Sequence, residues 1–293
     1  FYKQLLYFAV LNSKKVEPHY EFYALKKTSD FLNFSPMWFG VIANSLVAFG
    51  PIAAIAILLV SKRSHLSIIS VVGAFAWMLS NVISAVLWVA IPPLKASWLW
   101  IIPSGVVVQE IMRYGFYCLY ARSEKAIVKA MHGTTTQTQQ STQDVPRDVP
   151  LNDLSSSFSS GVGYGLMQSI VVFGSVLENG FGDGTYYTTS CSAVSLFTLT
   201  AFTTCFVSIM QISWMIIAFN GYRNISFVRI FLLFLLHLGS SMTSLLNQQK
   251  DMCGASIGIQ CGLMCISVAC AVFSQRHAVL TQGTRVREVE STN

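Results

Sequence analysis

Seven stretches of about twenty residues each, nearly empty of charge, determine the solvent in which this chain folds. They run approximately over 39–60, 66–91, 98–120, 160–180, 191–219, 227–247 and 252–274. A hydrocarbon layer ~30 Å thick takes ~20 apolar residues of helix to cross, and a water-soluble fold has little reason to repeat that length. Inside lipid only helices and closed barrels satisfy every backbone polar group, and these runs lack the alternating period of a barrel strand. With 53% hydrophobic and 11% charged residues, and a mean hydropathy of +0.54, the chain has too little polar surface to stay dissolved alone. The expected fold is all-α, a polytopic membrane protein forming a seven-transmembrane-helix bundle.

Cations sort the connections into two sets. Lys62 and Arg63 follow the first stretch, Arg122, Lys125 and Lys129 the third, and Arg223 the fifth; Arg276, Arg285 and Arg287 follow the seventh. The opposite connections hold little beyond Lys95 and Lys250. By the positive-inside rule the first set and the C-terminus are cytosolic, and an odd number of crossings puts the N-terminus on the lumenal side. The membrane domain is expected to cover 37–280, with 281–293 as a cytosolic tail. Residues 1–36 read as an extension upstream of it, because Met37 stands just before the first stretch. Residues 131–158, rich in Thr, Gln and Ser, cannot bury enough apolar area to offset ordering entropy and read as a disordered cytosolic loop.

Polar groups inside such stretches are costly and attract a functional reading. Gln109, Glu110 and Arg113 lie in QEIMRYGFY. Glu110 and Arg113 share a helix face at a spacing of three, which predicts an internal ion pair, with Arg113 reaching toward the headgroups. His237 and Gln211 are expected to hydrogen-bond across helices as structural glue. No second histidine falls within a stretch, so a metal site lacks ligands. GFGD at 180–183 resembles the motif of intramembrane aspartyl proteases, whose chemistry needs two carboxyls sharing a proton. Yet Asp30, Asp144, Asp148, Asp153, Asp183 and Asp251 all fall in tails or loops on this reading. No catalytic, cofactor or metal site is expected.

Small residues recur every four positions in two places: Gly161, Gly165 and Ser169 in the fourth stretch, and Gly254, Gly258 and Gly262 in the seventh. Such stripes let helix backbones approach closely, either within the bundle or against a partner protein. Of seven cysteines, Cys191 and Cys253 stand at the lumenal ends of their stretches, where a disulfide between them is permitted.

Together these motifs resemble the anterior-pharynx-defective subunit of gamma-secretase over about residues 37–280. The likeness rests on VAFGP (47–51), GAFAWMLSNVISAVLW (73–88), QEIMRYGFYCLY (109–120), the stripe at Gly161 and Gly165, and HLGSSMTSLLN (237–247). The resemblance implies a seven-helix, non-catalytic scaffold that assembles with presenilin, nicastrin and the presenilin-enhancer subunit in the endoplasmic reticulum, Golgi and plasma membrane. The complex would cut type I membrane proteins such as Notch- and amyloid-precursor-like substrates; no nucleic acid is implied. In this chain Ser169 replaces the third glycine of the family stripe, which implies somewhat looser packing. Gln211 stands where the family has the earlier of two histidines, and His237 matches the later one. The competing class is a seven-helix transporter or receptor; a transporter would show matching broken helices in its two halves, whereas Pro103 interrupts the third stretch and no matching break appears in the latter half.

Overall fold

The structure, a computed structural model, describes residues 34–91, 98–135, 153–180, 187–188 and 191–291. Seven α-helices occur among them: α1 Phe34–Ile55, α2 Ser64–Ala90, α3 Trp98–Thr135, α4 Asp153–Gly180, α5 Leu196–Arg223, α6 Phe227–Thr243 and α7 Cys253–Ser291. Helix α1 carries Pro51 within it and ends in a π-turn, Ala56–Val60. Five segments are long and apolar enough to cross a membrane: Phe39–Val60, Ser64–Ala90, Asp153–Leu177, Leu196–Arg223 and Cys253–Arg276. The protein is therefore a multi-pass helical membrane protein. In α3 the polar trio Gln109, Glu110 and Arg113 dilutes an otherwise apolar run. The 17 residues of α6 reach only about 25 Å at 1.5 Å per residue.

Several boundaries differ from the expected ones. The fifth stretch does not begin as helix at 191. Cys191–Ser195 is strand β2, paired antiparallel with β1, Tyr187–Thr188, so a two-stranded hairpin accompanies the helices. Ser195 then caps α5, its hydroxyl accepting from the Thr198 amide at 3.2 Å; such a cap satisfies one of the orphan donors that a helix start leaves. Residues 131–135 and 153–158, expected within the disordered loop, belong to α3 and α4, while 136–152 lies outside the described residues. Asp153 is thus the first residue of a helix rather than part of a loop. The expected tail is helical as far as Ser291. Pro103 does not break α3, which runs through it. Residues 1–33, and Phe181 to Asp183 of GFGD, also lie outside the described residues.

Helix α5 is the hub, packing against α1, α3, α4, α6 and α7. Every residue from Met210 to Gly221 is buried, as expected of a helix apolar all round and enclosed by others. One core gathers Ile52, Val162, Trp214, Ile217, Leu233 and Ala271 from five helices. A second joins Trp77, Phe116, Tyr120, Tyr164, Met215 and Phe219 between α2, α3, α4 and α5. At one end Arg223 closes the ring, its Nε donating to Asp153 Oδ2 at 2.8 Å and its Nη2 to Glu124 Oε2 at 2.8 Å, which ties the ends of α3, α4 and α5 together.

Candidate functional site: a buried polar cluster beside a small-residue seam

Helix α4 lies between α2 and α5, and glycine decides how closely it lies. A Cβ added at Gly161 would meet the Ile212 Cα at 2.6 Å, and one at Gly165 the Ser208 carbonyl oxygen at 2.7 Å. Both contacts are backbone of α5, so neither can yield by rotating a side chain. Ser169, expected to loosen this face, is wholly buried and shares a 2.6 Å hydrogen bond with Ser208. Serine keeps the approach close and adds a polar tie. The opposite face of α4 is tighter still: at Gly163 a Cβ would stand 1.9 Å from the Ser70 carbonyl oxygen of α2, and at Gly73 2.7 Å from that of Ser160. Close by, the Ser159 hydroxyl donates to the Leu66 carbonyl. Gly73 and Gly163 escape a search for fourfold spacing along one face. The alternation Gly161, Gly163, Gly165 was the available signal, since residues two apart point to opposite sides of a helix.

The seventh-stretch stripe behaves differently. Gly254, Gly258 and Gly262 are exposed, and a Cβ at any of them would meet nothing within 4 Å. The inner face of α7 is polar instead. Gln260 donates to Ser240 Oγ at 2.8 Å and accepts from Thr243 Oγ1 at 2.5 Å, while Trp214 Nε1 donates to Ser267 Oγ at 3.1 Å. Cys191 and Cys253 are joined by a disulfide with Cα atoms 5.3 Å apart, tying β2 to the start of α7 across 62 residues of sequence. Closing a loop of that length restricts the unfolded chain. Reduction is expected to cost about 2–4 kcal/mol of stability, read as a lower melting temperature in detergent with reductant than without.

Where α3, α4, α5 and α6 converge, polar side chains form a connected cluster. Arg113 is fully buried, rather than extended to the headgroups as its sequence position suggested. Its Nη1 donates to Glu110 Oε1 and its Nη2 to Gln211 Oε1 at 2.7 Å. Gln211 passes the chain onward, donating through Nε2 to Gln168 Oε1 at 2.8 Å. The guanidinium also sits 5.5 Å from the Tyr164 ring centre and 5.9 Å from that of Trp214, within cation–π range. His237 does not pair with Gln211 as expected. Its Nδ1 lies 2.6 Å from Glu110 Oε1, and its ring lies 4.5 Å from Trp214. An ionised carboxylate only accepts, so Nδ1 carries the proton in this contact. Gln109 is buried on the same helix. Gln168 is a member that the sequence reading missed; its place one residue before Ser169 of the stripe was the available clue.

This arrangement is chemically quiet. The carboxylate is held by a cation and an imidazole, and each amide oxygen that faces the cluster accepts a bond. The Arg113 Nε is buried without a hydrogen-bond partner, so the pair is held through the two terminal guanidinium nitrogens, and in that geometry it fixes register between helices.

The sequence profile of one family, described as Aph-1 protein, matches residues 39–278. Among curated proteins, the chain is 28% identical over 217 residues to the gamma-secretase subunit APH1-like of Arabidopsis thaliana, covering 72% of this chain and 83% of that protein. It is 26% identical over 225 residues to gamma-secretase subunit Aph-1 of Drosophila melanogaster, covering 73% and 83%. Against gamma-secretase subunit APH-1B of Mus musculus it is 24% identical over 212 residues, covering 69% and 77%.

Proposed function

Because the chain belongs to the Aph-1 family, we propose that it is a non-catalytic scaffold of a gamma-secretase complex. In this reading all seven helices span the membrane, with the N-terminus lumenal and the C-terminus cytosolic. The chain holds presenilin and nicastrin together, with the presenilin-enhancer subunit, for cleavage of type I membrane proteins of the Notch and amyloid-precursor kind. It acts along the endoplasmic reticulum, Golgi and plasma membrane. The observation that carries this reading is the family match over 39–278. The interior supports it, because Arg113, Glu110, Gln211, Gln168 and His237 bond to one another across four helices and so hold a fixed shape for other subunits to pack against.

The work assigned here to Gly161 and Gly165 is internal. Their contacts lie on this chain's own α5, so they serve assembly by shaping the scaffold, while the open stripe Gly254, Gly258 and Gly262 is the one with room for a partner. Mass spectrometry of proteins retained by a tagged copy in mild detergent is the direct test. Presenilin and nicastrin are expected in the wild-type eluate. Gly161→Leu with Gly165→Leu should remove both and also shift the scaffold itself out of its monodisperse peak. A wild-type eluate without presenilin would refute the scaffold reading.

A further inference from the structure

Helix α3 outruns the bilayer. Its 38 residues measure about 57 Å at 1.5 Å per residue, against a hydrocarbon layer of ~30 Å. Its outward face changes character along that length. Val107, Ile111, Gly115 and Leu119 follow one another at intervals of four, and all are exposed. A Cβ added at Gly115 would meet nothing within 4 Å, so this apolar row has an open notch near its middle. Intervals of three and four then carry the same face through Arg122, Lys125 and Lys129, each exposed as well. One continuous stripe is thus apolar in its first part and cationic in its second.

The three cations are available. Among the described residues, none of their side chains enters an ion pair or hydrogen bond. The acids at this end of the bundle, Glu124 and Asp153, are both committed to Arg223. Glu124, two residues after Arg122, also points away from the stripe, since residues two apart do not share a helix face. Charge and reach then select the occupant. An apolar row leading into a cationic one matches an amphiphile with an acyl chain and an anionic head. From Arg122 to Lys129 the stripe rises about 10 Å, more than the ~8 Å over which physiological salt screens a charge. A lone phosphodiester at the bilayer surface therefore meets only the lower end. Phosphomonoesters carry about −1.5 to −2 charges each, and on an inositol ring they stand beyond the diester, toward Lys125 and Lys129. We propose that this face of α3 binds a phosphorylated phosphatidylinositol, its acyl chain along Ile111, Gly115 and Leu119 and its head held by Arg122, Lys125 and Lys129. The placement rests on the reading above in which this end of α3 is cytosolic.

Native mass spectrometry of the full chain in mild detergent tests this, because binding there does not depend on which way the chain is inserted. A phosphatidylinositol bisphosphate is expected to be retained about 25-fold more tightly than phosphatidylserine, two further cations at about fivefold each. Lys125→Gln with Lys129→Gln should erase that preference, whereas Lys125→Arg with Lys129→Arg should keep it. Lys62→Gln with Arg63→Gln removes as much charge from another exposed connection and should leave retention unchanged. Melting temperatures equal to wild type verify that the variants fold; should one not fold, the comparison of lipids on the wild-type chain decides. Four results would overturn the proposal: equal retention of phosphatidylserine, equal loss in the Lys62 and Arg63 variant, equal binding of water-soluble inositol trisphosphate, or displacement of the lipid by an acidic peptide of the same charge, which would give the face to a protein partner. Orientation is read separately. In sealed microsomes Lys129→Cys should react with a membrane-impermeant maleimide, above the wild-type background, before detergent is added. Reaction only after detergent would overturn the topology and with it this occupant, while a failed lipid comparison would leave the topology standing.

Discussion

Gly163→Ala should disrupt this protein more than a methyl group added at any other glycine among the described residues. The new Cβ would stand 1.9 Å from the Ser70 carbonyl oxygen, 2.8 Å from its carbon and 3.0 Å from the Ala74 nitrogen. All three atoms are backbone of α2, so relief requires two helices to separate. Overpacking of a well-packed interior costs typically 1–3 kcal/mol, occasionally more. Here the cost is expected at or above the top of that range, because separation also pulls Ser159 from Leu66 and Ser160 from Gly73. Gly115 on α3 and Gly174 on α4, where a Cβ would meet nothing within 4 Å, are the matched controls. The measurement is the melting temperature of the detergent-solubilised chain, followed by loss of its monodisperse peak. Gly163→Ala should lie well below wild type, and Gly115→Ala and Gly174→Ala close to it. Equal melting of all three would show that α2 and α4 do not cross so closely.

That crossing also marks how far the amino-acid sequence could be read. Apolar length located each of the seven helices to within a few residues on at least one end, because the bilayer imposes a length that composition alone displays. It failed at Cys191–Ser195, where apolar Ala193 and Val194 extended the run. The stopping signal, a serine ready to cap at Ser195, is local and weak beside hydropathy. It failed likewise at Asp153, where 153–158 with its serines read as polar loop; in the structure Ser156 and Ser157 are buried, and the Ser157 hydroxyl donates to the Leu154 carbonyl. The spacing within α3 was enough to pair Glu110 with Arg113, since a helix fixes which residues meet at i and i+3. Pairing between helices was not readable in the same way. Gln211 and His237 are both buried, but the rotation of α5 and α6 about their axes sends one to Arg113 and the other to Glu110. No single-sequence pattern encodes that rotation.

Arg113→Met should be the most damaging change to the polar cluster, and its rescue would show why. The guanidinium is fully buried and donates to both Glu110 and Gln211. Removing it leaves the Gln211 oxygen without its donor and leaves the Glu110 charge with only His237 beside it. Breaking one side of a buried ion pair costs about 3–5 kcal/mol, because the remaining charge stays desolvated. Replacing both partners by apolar groups of similar volume is often nearly neutral. The double change Arg113→Met with Glu110→Leu should therefore recover much of the melting temperature lost in Arg113→Met alone. Recovery will be incomplete, since His237 and Gln211 each lose a partner and interhelical hydrogen bonds in membranes average ~0.6 kcal/mol. Adding His237→Leu should recover more. If the double variant instead melts below Arg113→Met, then Glu110 stabilises the bundle by a route other than this pair. A rescued variant that stays monodisperse but no longer retains presenilin would separate the cluster's effect on folding from its effect on assembly. The geometry anticipates that separation, because Arg113 is fully buried, while Glu110 also lines a cavity of about 510 Å³ with Tyr222 and Phe231.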